Sequence, residues 1–164
     1  MAVHKADGVD GRINKLIKTI TVYTTNAVTA GDSVIINTAA SAALKTLYGP
    51  QYLVKQSSDV DSPVAAGIAL TSSGTIPAGG AVGIQVQVAG KIGTGTASEA
   101  GVPHSTAVAI LVDTMVGSAA SGRIVQLAAP TATAWPFAVC IDAYPAVADS
   151  TAGIIMILDK GWYD

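Results

Sequence analysis

Two histidines, one cysteine and one glutamate are the main candidates this 164-residue chain offers for nucleophilic, general-base or soft-metal chemistry. A zinc site needs three or four His, Cys or carboxylate ligands, so His4, His104, Glu99 and Cys140 would nearly all have to converge on one point. Cys140 with His104 is the one thiol–imidazole pair available. Yet Cys140 stands in Phe137-Ala138-Val139-Cys140-Ile141-Asp142, where a cysteine behaves as a small buried hydrophobe of a strand. Ser105 follows His104 directly, a spacing that creates no hydrogen bond between their side chains. No Gly-x-Ser-x-Gly nucleophile elbow occurs. The residues therefore predict no catalytic group, no metal and no cofactor.

Two loops imitate ligand-binding motifs. Gly93-Thr94-Gly95-Thr96-Ala97-Ser98 has the opening of a dinucleotide-binding turn, with Asp113 twenty residues beyond Gly93. That turn works by opening a helix whose amides meet the pyrophosphate, whereas here the third glycine is Ser98 and Gly101 and Pro103 follow. Asp59-Val60-Asp61-Ser62 begins like a calcium loop, but Pro63 interrupts it and no glutamate closes it. Both read as polar turns.

Binding through aromatic or basic side chains is better supplied. Trp135-Pro136-Phe137 introduces an apolar run and Trp162-Tyr163-Asp164 follows another. In a chain with two tryptophans, five tyrosines and one phenylalanine, Trp135, Trp162 and Tyr163 are candidate subunit-interface anchors, because such residues dominate interface energetics. For the Trp162-Tyr163 pair the alternative is that it folds back as a lid on its own barrel. Residues 1–18 carry Lys5, Arg12, Lys15 and Lys18, four of the nine basic residues. This segment reads as a basic N-terminal arm suited to an acidic partner, or as a frayed terminus with solvated charges.

The elements that position these groups follow from patterning. Thr19-Ile20-Thr21-Val22-Tyr23-Thr24 and Val82-Gly83-Ile84-Gln85-Val86-Gln87-Val88 alternate with a period of two, which marks half-buried strands. Strands are also predicted over 33–37, 52–56, 67–70, 107–112, 123–128, 137–142 and 153–159 from their β-branched content. Ile154-Ile155-Met156-Ile157-Leu158 does not alternate, which predicts a central strand covered on both faces. Ala-Gly-x-x-Val-x-Ile occurs at Ala30 and again at Ala78, each glycine providing a tight turn before a strand. One helix is predicted over 39–48, capped by Thr38, stopped by Gly49-Pro50, and sharing Leu44, Leu47 and Tyr48 on one face. Segments 71–81, 93–101 and 117–122 read as loops. The chain is thus all-β, a small β-barrel or β-sandwich with one short helix, as a single domain over 19–164 behind the arm.

Composition narrows the function further. Half of the residues are hydrophobic and only 12% are charged, against about 25% charged in an ordinary soluble domain. A surface so poor in charge predicts that much of it lies against other subunits. The net charge of −2 argues against bulk nucleic-acid binding. Apolar runs such as 107–112 and 152–158 fall well short of the ~18 residues of a membrane helix. Eight aromatics are too few for the two girdles of an outer-membrane barrel. The first residues lack the apolar core of a secretory signal, so synthesis in the cytoplasm is expected. The single cysteine allows no internal disulfide.

Three stretches resemble the head decoration, or cement, proteins of tailed bacteriophages. They are Val28-Thr29-Ala30-Gly31-Asp32-Ser33-Val34-Ile35; the run from Ala66-Gly67-Ile68-Ala69-Leu70 through Ile76-Pro77-Ala78-Gly79-Gly80-Ala81-Val82-Gly83-Ile84-Gln85-Val86 to Gly90; and Gly122-Arg123-Ile124-Val125-Gln126 onward to Ala152-Gly153-Ile154-Ile155-Met156-Ile157-Leu158. Together they span most of residues 28–158. The resemblance implies a compact β domain, usually trimeric, that sits on the outer capsid surface of the virion and clamps neighbouring major capsid subunits, often with help from an N-terminal segment. On this reading Lys5, Arg12, Lys15 and Lys18 would meet the acidic capsid face. A phage head fibre or tail component, and a carbohydrate-binding β-sandwich using Trp135, Trp162 and Tyr163, are the alternatives.

Overall fold

A computed structural model describes residues 17–58, 64–96, 100–127 and 135–163. Its strands are β1 (Lys18–Thr24), β2 (Ser33–Ile36), β3 (Leu53–Gln56), β4 (Ala65–Ala69), β5 (Val82–Gly93), β6 (Met115–Ser118), β7 (Ile124–Gln126), β8 (Ala138–Asp142) and β9 (Ile154–Ile157), with one helix, α1 (Ala42–Tyr48).

The first five strands close a barrel in the order β1–β3–β2–β4–β5, and β5 returns to β1 along a register from Lys18↔Ala89 to Thr24↔Val82. Only β1 and β3 run parallel among the barrel pairs; the others are antiparallel. Closure removes the unpaired edges that an open sheet would expose. A five-stranded barrel is narrow, and small branched side chains fill it: Val22, Val34, Val54, Ala66, Ala69, Ile84, Val86 and Val88 are buried together. This is why the alternating valines of β1 and β5 could be read from the sequence.

β5 outlasts the barrel. Its last four residues, Gly90–Gly93, pair with β9 and start a second antiparallel sheet ordered β5–β9–β8–β6–β7. The inner face of that sheet places Ile92, Val116, Ile124, Ala138, Cys140, Ile155 and Ile157 against Ile35, Ala65 and Ile68 on the outside of β2 and β4. Those two strands therefore serve two cores at once, and all five residues of β4 are buried. Each fully buried isoleucine contributes about 2 kcal/mol of transfer free energy. Gln87, which alternation had placed outward, is also fully buried; its amide donates to the Lys91 carbonyl at 3.1 Å.

The turns before β2 and β5 bear out the repeated Ala-Gly pattern, since Gly31 and Gly79 have φ of 95° and 68°, a region costly for residues with a Cβ. The helix is shorter than its apolar run. Ser41, not Thr38, caps it by accepting from the Leu44 amide, while Asn37 holds Ala39 and Ala40 in the preceding turn. Gly49 ends it as expected. Leu47 is 68% exposed, so the apolar face is only partly used.

Three other expectations change. Residues 107–112 form no strand: only Ile110 bridges, to Tyr144, while the Leu111 amide is taken by the Gln126 side chain and Thr114 turns back onto the Leu111 carbonyl. Local side-chain bonds here replace a ladder. Segment 117–122 contains the end of β6 and a 3₁₀ turn (Ala120–Gly122), because Gly117 and Ser118 pair with Val125 and Ile124 despite their loop-like composition. Finally, β9 is central, between β5 and β8, but it is not covered on both faces. Ile155 and Ile157 are buried while Ile154 and Met156 are half-buried, since among the described residues no second layer lies over the outside of this sheet.

Candidate interaction surface

The uncovered outer face of the second sheet has a definite composition. Lys91, Met156, Val139 and Met115 are successive register partners across β5, β9, β8 and β6, so their side chains form one row on one face. Met115 is exposed, Val139 and Met156 are half-buried, and exposed Ile141 and Leu158 extend the row along β8 and past β9. Lys91 is the only charged residue in the row. A sheet face of this kind normally meets a second layer.

Beyond the β9 end of this face lies an open cleft of about 530 Å³ lined by Trp135, Pro136, Leu158, Asp159, Lys160 and Trp162. The two tryptophans, 27 residues apart in sequence, are brought together because the Leu158 amide donates to the Phe137 carbonyl and aligns the segments leaving β9 and entering β8. Trp135 is 53% exposed and Trp162 37%. The Lys160 ammonium donates to the Ala65 carbonyl at 3.2 Å and lies 4.7 Å from the centre of the Trp162 ring, a cation–π contact. No carboxylate pairs with it among the described residues. Burial pushes this ammonium below its ordinary value.

Tyr163 faces the other way. Its hydroxyl donates to the Gln51 carbonyl at 3.1 Å, and its ring lies 5.7 Å from Tyr52 against the barrel core. Burial, with Tyr52 beside it, pushes the phenol up to about 12. Of the three aromatic candidates, then, Trp135 and Trp162 share a cleft while Tyr163 serves as a lid on its own barrel. Sequence reading missed Lys160 and Leu158; their positions between β9 and Trp162 were the available signal.

The basic arm is only partly in view. Lys18 opens β1 and is half-buried, whereas Lys5, Arg12 and Lys15 lie outside the described residues. The calcium-like Asp59–Asp61 segment and Glu99 lie outside them too. At Gly93-Thr94-Gly95-Thr96 the chain makes a tight turn, with the Thr96 amide and hydroxyl both donating to the Gly93 carbonyl.

Cys140 and His104 are both fully buried. The Cys140 thiol donates to the Asp142 carbonyl at 3.1 Å, and burial with the nearby Asp142 pushes it up, away from thiolate. His104 packs edge-on to Tyr144 at 5.5 Å, and neither of its ring nitrogens has a hydrogen-bond partner. Nothing in this geometry activates the thiol. Among the described residues no three His, Cys, Asp or Glu side chains cluster as a metal ion would need. Nor is any helix among them long and apolar enough to cross a membrane. No protein-family model matches the sequence, and no curated protein matches it.

Proposed function

We propose that this chain is a non-enzymatic structural protein of a tailed-phage head, which binds the outer capsid surface as a homotrimer and stabilises the shell by bridging major capsid subunits. The observation that carries this reading is the uncovered sheet face: Met115, Val139, Met156, Ile141 and Leu158 present apolar surface beside the two-tryptophan cleft. Contiguous apolar surface on an otherwise closed fold marks an interaction site. In a chain with 12% charged residues it offers adhesion by close packing. Repetition over a shell would multiply weak contacts through multivalency. The resemblance of residues 28–158 to decoration proteins supports the choice of partner, and Lys5, Arg12 and Lys15 supply a basic segment for an acidic lattice.

The test is co-sedimentation of the pure protein with purified phage capsids. The full chain binds; a chain lacking residues 1–16 binds more weakly while keeping its oligomeric mass; Met156→Glu, placed in the apolar row, loses binding or oligomerisation. Equal capsid binding by all three proteins would discard the reading.

A further inference from the structure

Among the described residues, the cation of the aromatic cleft has no counter-charge, and neither has an anion at the far end of the same sheet. The loop Leu111-Val112-Asp113 precedes β6 and is exposed, with Leu111 at 57% and Val112 at 47%. It is a built loop, since the Leu111 amide is held by the Gln126 side chain, the Thr114 hydroxyl donates to the Leu111 carbonyl at 2.6 Å, and the Asp113 amide donates to the Cys140 carbonyl. Asp113 has φ of 62°, an uncommon conformation for a residue with a side chain. Its carboxylate has no hydrogen-bond or ion-pair partner among the described residues. The loop is therefore an apolar pair followed by a carboxylate with no partner among the described residues, and the cleft is an apolar wall ending in the Lys160 ammonium, with the Asp159 carboxylate beside it held by the Gly161 amide.

The two features cannot satisfy each other within one chain. The loop abuts the C-terminal end of β8, through Asp113 and Cys140, while Trp135 precedes its N-terminal end. Six residues of extended chain separate Trp135 from Ile141, about 20 Å at the usual strand rise.

We propose that the Leu111–Asp113 loop of one copy seats in the Trp135–Trp162 cleft of the next, with the apolar side chains against Trp135, Leu158 and Trp162 and the Asp113 carboxylate on the Lys160 ammonium. This deepens the proposed function and rests on its reading of the chain as a self-associating protein. A contact between two different patches is heterologous, and repeated head to tail it closes into a ring when the rotation permits. Desolvated aromatic anchors are the composition of an interface centre, and a complementary charge pair beside them fixes register and partner. The half-buried Lys160, whose ammonium burial disfavours, gains its counter-charge only in the assembly.

The experiment is sedimentation velocity on the full chain across a wide concentration range, read together with tryptophan emission. The protein has only two tryptophans and both line the cleft, so emission reports that site alone. Wild type is expected to associate, with emission shifting to the red on dilution. Asp113→Lys and Lys160→Asp each weaken association about tenfold or more, and the doubly reversed protein recovers most of it, as a coupled pair requires. Val112→Glu, on the exposed loop and away from the core, weakens association with an unchanged circular dichroism spectrum, which covers the case of a Lys160 variant that fails to fold. A wild type that stays monomeric overturns the proposal. So does an oligomer indifferent to both Asp113→Lys and Val112→Glu, or a folded charge-swapped protein that stays dissociated. Emission that responds to an added oligosaccharide and not to protein concentration overturns it in favour of a sugar site. Because only pure protein is used, the outcome is separate from capsid binding.

Discussion

Substituting Gly153 by alanine would drive a methyl group into the most tightly built part of the second core. A Cβ at this position would meet Cδ2, Cε2 and Cγ of Tyr144 at 2.1, 2.2 and 2.5 Å, where ordinary van der Waals contact begins at 3.4 Å. Gly153 does not use a left-handed backbone, so the penalty is steric rather than conformational. The ring cannot easily retreat: Tyr144 is fully buried, bridges Ile110 through its backbone, and has the buried His104 ring edge-on at 5.5 Å. Overpacking costs about 1–3 kcal/mol, and overlap with three ring carbons places this variant near the top of that range. A loss of about 3 kcal/mol lowers the folding equilibrium constant by roughly 10²-fold. With a urea m-value of about 2 kcal/mol/M, the midpoint falls by roughly 1.5 M at unchanged slope. Chemical denaturation followed by circular dichroism measures this. In a Tyr144→Ala background, where Cγ and the ring are gone, Gly153→Ala should cost almost nothing, so the double-mutant cycle shows strong coupling. A single-variant loss below about 1 kcal/mol, or additivity in the cycle, refutes the packing described here.

Three further outcomes follow from the same structure. Tyr144→Phe removes a buried hydroxyl that has no hydrogen-bond partner, so urea denaturation should show stability unchanged or raised by up to about 1 kcal/mol. Tyr163→Ala uncovers the barrel end and loses the bond to the Gln51 carbonyl, costing about 2 kcal/mol by thermal or urea unfolding, roughly half the value for a fully buried aromatic; association through the Trp135–Trp162 cleft should survive. The exposed Arg123–Asp149 ion pair holds the Asp149 carboxyl below its ordinary value through the guanidinium hydrogen bond. The unfolded chain then takes up this proton first as pH falls, so the pair's contribution is complete above the ordinary aspartate pKa of about 3.9 and is lost as pH falls through the lowered folded value. Asp149→Asn should flatten that part of the stability-versus-pH curve, and high salt should remove the difference.

Short-range chemistry alone announced much of this molecule. Alternating valines and isoleucines in β1 and β5 and the glycines before β2 and β5 were legible, because each depends on neighbours within a few residues. Alternation in β5 also hid something: Gln87 has the pattern of a solvent-facing residue and is fully buried in the fold. The run 107–112 has strand composition and forms a loop, since its backbone partners are Gln126 and Thr114 side chains rather than a neighbouring strand. Conversely, Gly117 and Ser118 look like loop and end strand β6, because β7 pairs with them while β8 pairs with the start of that strand.

The sequence by itself determined an all-β chain with too little charge to coat its own surface, since those properties are sums over residues and local periods. Only the tertiary structure decided that β2 and β4 serve two cores, that Tyr163 turns inward while Trp135 and Trp162 meet, and that Lys160 and Asp113 end at opposite ends of one sheet. Those outcomes depend on pairings between residues distant in sequence, and composition and period carry no information about which distant strands will meet.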